Sequence, residues 1–135
     1  MRLLPAAVAA TGVALLVSVS VAPASAASAA RNGKCENGEF CLYWNYGKFG
    51  SVSDFASSVS NYGASQPDCY EFRTPDMNGY GECVKNNAMS AWNRTSRTVR
   101  VYFNSNYGGK YDTAKAGDAI ELEKTSRDNA SHKFL

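Results

Sequence analysis

The chain contains one histidine, His132, and no C-x-x-C pair. A lone histidine leaves no evident base for a Ser-His-Asp arrangement, and a zinc site lacks its usual ligand spacing. No HExxH, P-loop or GxSxG string occurs after the first thirty residues. Charge of one sign is lacking too: 14 basic residues face 12 acidic ones, with no basic run. That excludes an electrostatic footprint for nucleic acid or for an anionic membrane. The carboxylate pairs Glu36 and Glu39, and Glu121 and Glu123, read as solvated strand ends rather than as a glycosidase pair.

Long apolar runs are missing as well, except near the N-terminus. There Arg2 precedes an almost wholly apolar stretch from Val8 to Val21, and Ala24-Ser25-Ala26 forms a small-residue cleavage site. The stretch is short for a bilayer span and leads into small residues without stop-transfer charges. The expectation is a secretory leader over 1–26, with cleavage as late as residue 30. Residues 27–135 are then a single extracellular domain, soluble after leader removal and monomeric. Loss of Arg2 leaves its charge close to neutral.

Four cysteines remain: Cys35, Cys41, Cys69 and Cys83. An even count in a small exported domain implies two disulfides, and three pairings are open. Nearest-neighbour pairing, Cys35–Cys41 and Cys69–Cys83, is the simplest. The second bridge would close a loop of roughly 15 residues, worth about 3 kcal/mol in a chain-entropy account.

Short aromatic or β-branched segments sit between glycine, asparagine and serine, and no helical apolar period lasts three turns. This predicts an all-β fold. In Phe40-Cys41-Leu42-Tyr43-Trp44-Asn45 the residues at 40, 42 and 44 share one face. Val99, Val101 and Phe103 repeat the pattern 59 positions later, from 40 to 99. Period two predicts that these sets are buried and that Tyr43 and Tyr102 point outward. An aromatic-Gly pair follows each segment, Phe49-Gly50 and Tyr107-Gly108.

A second match aligns the stretch from Asn86 to Trp92 with that from Asp128 to Phe134. The chain thus reads as one strand-rich unit used twice. The first unit is longer by 17 residues, since Asn45 to Asn86 is 41 positions and Asn104 to Asp128 is 24. The Cys69–Cys83 loop lies in that excess, where added length is tolerated and function tends to reside.

The FCLYWN stretch at 40–45, the NNAMS motif at 86–90, the run from Val101 to Gly109 and the DNASHKF ending resemble the streptomycete metalloproteinase inhibitor family. These are secreted actinobacterial proteins. The resemblance covers roughly Cys35 to Phe134. It implies a βγ-crystallin-like sandwich of two four-stranded Greek-key motifs, and inhibition of extracellular thermolysin-type metallopeptidases without enzymatic activity. It also implies a reactive Cys-Val bond beside a disulfide. Here that bond is Cys83-Val84, so Cys69, Tyr70, Cys83 and Val84 form the expected protease-binding loop. The sequence departs from the family in one respect. There the bridge closes a short loop beginning at the reactive Cys, whereas Cys83 ends a longer one, which leaves a second reading of Val84 open, as an ordinary buried strand residue with the reactive bond elsewhere or lost.

Many βγ-crystallin domains bind calcium through an Asx-Asx-x-x-Ser/Thr-Ser motif. Asn86, Asn87 and Ser90 match it in the first unit, and Asp128 and Asn129 match it less fully in the second. Calcium favours oxygen donors and carboxylates, and the first site has no carboxylate. Weak affinity at most, and a role in turning the chain, are the expectation. No other cofactor is expected. The eight tyrosines support one alternative, an extracellular carbohydrate- or calcium-binding module without inhibitory activity.

Overall fold

The computed structural model describes residues 9–18 and 31–135. Most of the expected leader, including its cleavage site, lies outside the described residues. Among the described residues seven strands form: β1 (Phe40–Tyr43), β2 (Val52–Phe55), β3 (Ser90–Asn93), β4 (Val99–Asn104), β5 (Gly108–Ala114), β6 (Ala119–Glu121) and β7 (Ser131–Phe134). They make two antiparallel sheets, ordered β2-β1-β3-β6 and β5-β4-β7. Phe40, Leu42, Val99 and Val101 are fully buried between them, as the alternation predicts, but Phe103, expected with them, is exposed where a register shift interrupts the pairing of β4 with β5.

The repeat is real in space. β1 and β4 are each followed by a one-turn 3₁₀ segment, Tyr46–Lys48 and Ser105–Tyr107. Gly47 and Asn106 occupy the left-handed region at φ 66° and 58°. Lys48 and Tyr107 follow at 61° and 60°. Phe49 and Gly108 then share one extended conformation, with φ −106°, ψ 161° and φ −107°, ψ 160°. Gly50 and Gly109 return to positive φ, 82° and 78°, which favours glycine. The spacing of 59 therefore holds through the turn. Phe49-Gly50 matches Gly108-Gly109, one residue away from the aromatic-Gly pairing expected from sequence.

The second match shifts by one residue as well. Strand pairing places Ser90 opposite Tyr43 and Ser131 opposite Tyr102, a spacing of 41 between the serines. The Ser90 hydroxyl donates to the Asn45 carbonyl at 2.7 Å and accepts from Lys48 N–H at 3.0 Å. Ser131 makes the same bonds to Asn104 and Tyr107, at 2.7 and 3.2 Å. Asn86 N–H donates to the Asn129 carbonyl and Arg127 N–H to the Ala88 carbonyl, a reciprocal pair across the pseudo-twofold. Register is thus set by two serine hydroxyls that tie each 3₁₀ turn to the last strand of its unit.

In each unit the third strand crosses to the other sheet. β6 pairs with β3, whereas its counterpart in the first unit shrinks to a single bridge between Val59 and His132. The first unit therefore has three full strands and a residual fourth. Only Val59 among Ser57, Ser58, Val59, Ser60 and Asn61 is apolar, so little surface is available to extend the pairing.

Tyr43 and Tyr102 lie on the outer faces but are buried. Cys35, tied to Cys41, folds over the first sheet and packs with Tyr43, Val52 and Trp92. Burial raises the Tyr43 hydroxyl pKa to about 12. Tyr107 and Tyr111 cover Tyr102, with ring centroids 5.9 and 5.6 Å away.

Candidate functional site

The extra length of the first unit lies between Tyr62 and Asn86, and it forms a structured insert. Tyr70 N–H donates to the Tyr62 carbonyl and Val84 N–H to the Tyr70 carbonyl, both at 2.8 Å. Glu71 bridges Cys83, and Phe72 exchanges bonds with Glu82 and Gly81. Cys69 and Cys83 are bonded, as are Cys35 and Cys41. Among the described residues no cysteine is free.

The insert caps the free edge of β2. Arg73 N–H donates to the Val52 carbonyl at 2.8 Å, and Val52 N–H donates to the Thr74 hydroxyl at 2.9 Å. An exposed strand edge invites unwanted pairing, and the insert removes that hazard here. Phe72 and Val84 anchor it, both fully buried in the core.

Arg31 locks the insert from the other side. Its guanidinium lies over the Phe55 and Tyr70 rings at 4.3 and 4.9 Å. It donates to Ser53 Oγ and to the Asp54 and Glu71 carbonyls. The buried Asp54 carboxylate accepts from Asn32 and Gly33 N–H at 3.0 and 2.8 Å. Desolvation lowers the Arg31 pKa most, and Asp54 partly opposes it.

The tip of the insert sits on the first 3₁₀ turn. The Asn78 carbonyl accepts from Ser51 N–H at 2.9 Å. Gly79, at φ 88°, lies so close to Trp44 that a β-carbon there would collide with the indole. Trp44 in turn meets Phe72 edge-on at 5.5 Å. The two segments joined by the Ser51–Asn78 bond carry four exposed large apolar side chains: Phe49 by 70%, Tyr80 by 56%, Tyr46 by 53% and Met77 by 44%.

These positions revise the site expected from sequence. The insert brings Cys69, Tyr70, Cys83 and Val84 together, but only Tyr70 presents a large side chain to solvent. Val84 has no exposed surface, so this fold does not offer it to a protease pocket. A sequence clue to Phe49 was available, since strict spacing of 59 sets it against Gly108.

The candidate calcium residues are used by the fold. Ser90 spends its hydroxyl on Asn45 and Lys48. Asn87 donates to the Cys83 carbonyl at 2.8 Å. Asn129 is buried, donating to the Ala88 and Thr125 carbonyls at 2.9 and 2.6 Å. Asn86 and Asp128 remain exposed at turns. The set does not form an open calcium cradle, because Ser90 and Asn129 are fully buried and only Asn86 and Asp128 are exposed. Among the described residues no group of three or more His, Cys, Asp or Glu is placed to hold a metal.

A family model, described as peptidase inhibitor family I36, matches residues 28–114. The match includes the whole insert and runs to the end of β5. The chain belongs to peptidase inhibitor family I36. This I36 protein is therefore an inhibitor rather than an enzyme, and its partner is a peptidase. A solved structure described under the evolution of the eye lens βγ-crystallin domain fold is similar, with a TM-score of 0.56 and 10% identity. That likeness covers 76% of this chain and 90% of the other, and it establishes the I36 protein's fold as βγ-crystallin-like. No curated protein matches the chain.

Proposed function

We propose that the protein is exported and inhibits extracellular thermolysin-type metallopeptidases, using the disulfide-braced insert of its first unit. One observation carries this reading. The two units share a scaffold turn for turn, yet only the first bears an insert, and that insert is stitched to the core along its length. A contact surface held in place before binding avoids the ordering cost of a flexible peptide. Two disulfides suit an oxidising compartment, in keeping with export.

Thermolysin-type enzymes favour a bulky apolar residue just after the scissile bond. Tyr70 and the Met77 to Tyr80 tip are the parts of the insert able to supply one from the surface. Val84 supports them from beneath. A substitution such as Val84→Asp would place a charge in the core and so report on folding rather than on docking.

The test is a titration of residues 31–135 against metallo-, serine and cysteine endopeptidases. Stoichiometric inhibition of a thermolysin-type enzyme is expected. Inhibition restricted to serine or cysteine enzymes would contradict the target class.

A further inference from the structure

We infer that Phe49 is the apolar anchor that enters a specificity pocket of the target peptidase, with Tyr46, Met77 and Tyr80 forming the surface around it. The inference rests on the inhibitor reading, and it moves the centre of contact from the insert to the turn beneath it.

The duplicated scaffold supplies an internal control. Phe49 and Gly108 adopt the same backbone conformation at the same step of the same turn. The second unit makes that turn with no side chain, so the fold does not require a phenyl ring there. Tyr46 likewise corresponds to Ser105. Both aromatics of the first unit are thus extra to the needs of folding, and both face solvent. An exposed large ring beside further exposed apolar side chains is informative in a way that an isolated one is not.

The backbone beneath the ring is preorganised. The Phe49 carbonyl accepts from Asn45 N–H at 3.0 Å, and its N–H donates to the Tyr46 carbonyl at 3.2 Å. Lys48 and Gly50 on either side hold left-handed conformations. The next residue, Ser51, is bonded to Asn78 at the insert tip. The side chain therefore stands on an extended residue clamped at both ends. Rigid aromatic anchors of this kind dominate interface energetics.

The second unit treats its aromatics differently. Tyr107 leans on Tyr102, and Arg100 lies over Tyr111 at 4.4 Å; Tyr111 and Phe103 are each 36% exposed, about half as much as Phe49. The occupant argued for Phe49 is a pocket of the peptidase, since inhibition is what the family does. A second copy of the chain is the competing occupant.

Three proteins test the inference: the native sequence, Phe49→Gly, and the exchange variant combining Phe49→Gly with Gly108→Phe. A β-carbon at Gly108 meets nothing closer than 3.5 Å, so the exchange is sterically open. Inhibition constants against the most sensitive peptidase are measured beside melting temperature and sedimentation. The expected result is at least a tenfold loss for both variants, with native-like melting. Phe49→Ala serves as a second variant should the glycine loosen the turn. Unchanged inhibition by Phe49→Gly, or a dimer that this substitution dissolves without affecting inhibition, would overturn the anchor and leave the inhibitor reading intact. Recovery in the exchange variant would also overturn it, because location would then not matter. A native protein that inhibits no peptidase of any class would remove both readings together.

Discussion

The Lys48 ammonium lies 4.2 Å from the centre of the Trp92 ring. In the second unit the equivalent positions hold Tyr107 and Lys133, and the cation lies 5.2 Å from the tyrosine ring. The same contact between turn and last strand is thus kept with its partners exchanged. Each unit keeps a cation over an aromatic ring at this place, although neither residue is kept.

Trp92 is flanked by a second cation, Arg94, at 4.6 Å. Trp92→Ala removes both cation contacts and part of the cover over Tyr43. A loss of about 2 kcal/mol is expected, read by urea denaturation. The double variant Lys48→Tyr with Trp92→Lys rebuilds the second unit's arrangement. It should recover part of that loss.

His132 gives stability a definite pH dependence. Its ring is fully buried among Phe40, Phe55 and Phe134. Nε2–H donates to the Ser57 carbonyl at 2.8 Å, which leaves Nδ1 to accept from the Tyr62 hydroxyl at 2.9 Å. Desolvation lowers its pKa to about 3, with Arg31 adding to the shift and the Ser57 bond opposing it. The unfolded chain takes up this proton below about pH 6.5, whereas the folded chain does not until about pH 3. Stability should therefore fall as pH drops between those limits, by roughly 1.4 kcal/mol per unit in the steep part. In His132→Gln that slope is reduced, leaving the carboxylate contribution. Melting curves from pH 7 to 4 on both proteins decide it, and parallel slopes would contradict the assignment.

The Cys69–Cys83 bridge joins residues 14 apart at the base of the insert. Replacing both by serine should lower stability by about 3 kcal/mol, chiefly by freeing the unfolded chain. Phe72→Ala, which empties a fully buried site, should lower it by about 3–5 kcal/mol. Both variants should speed hydrogen exchange at Val52 and Arg73, where the insert meets β2.

Calcium should leave the protein unchanged. The Ser90 hydroxyl already donates to Asn45 and accepts from Lys48, and the Asn129 amide oxygen is buried facing Ala88 N–H. Millimolar calcium is expected to move the melting point by no more than a degree or so. A rise of several degrees would show that Asn86 and Asp128 suffice.

The strand pattern around Leu42 and Val101 was legible because alternation is a local property, and the two stretches kept it without insertion. The Cys69–Cys83 and Cys35–Cys41 pairings followed from simplicity of closure. Registers were harder. Asx pairs at Asn86 and Asp128 suggested one alignment, while the serine hydroxyls at 90 and 131 impose another, one residue away. Burial of Tyr43 was not legible, since it is covered by another segment, the Cys35 loop, whereas a buried Val84 was already one of the two readings the sequence allowed. Phe49 was hidden by the same slip. Matching aromatic-Gly pairs aligned it with Tyr107, although the backbone aligns it with Gly108.

Two equivalent units share one architecture, and the proposed contact with the peptidase falls to the first alone. Hydrogen exchange of the complex with a thermolysin-type peptidase tests this most directly. Protection is expected in residues 46–51 and 70–82, with residues 105–114 unchanged from the free protein. Protection centred on 105–114, with the first turn and the insert unaffected, would contradict the account.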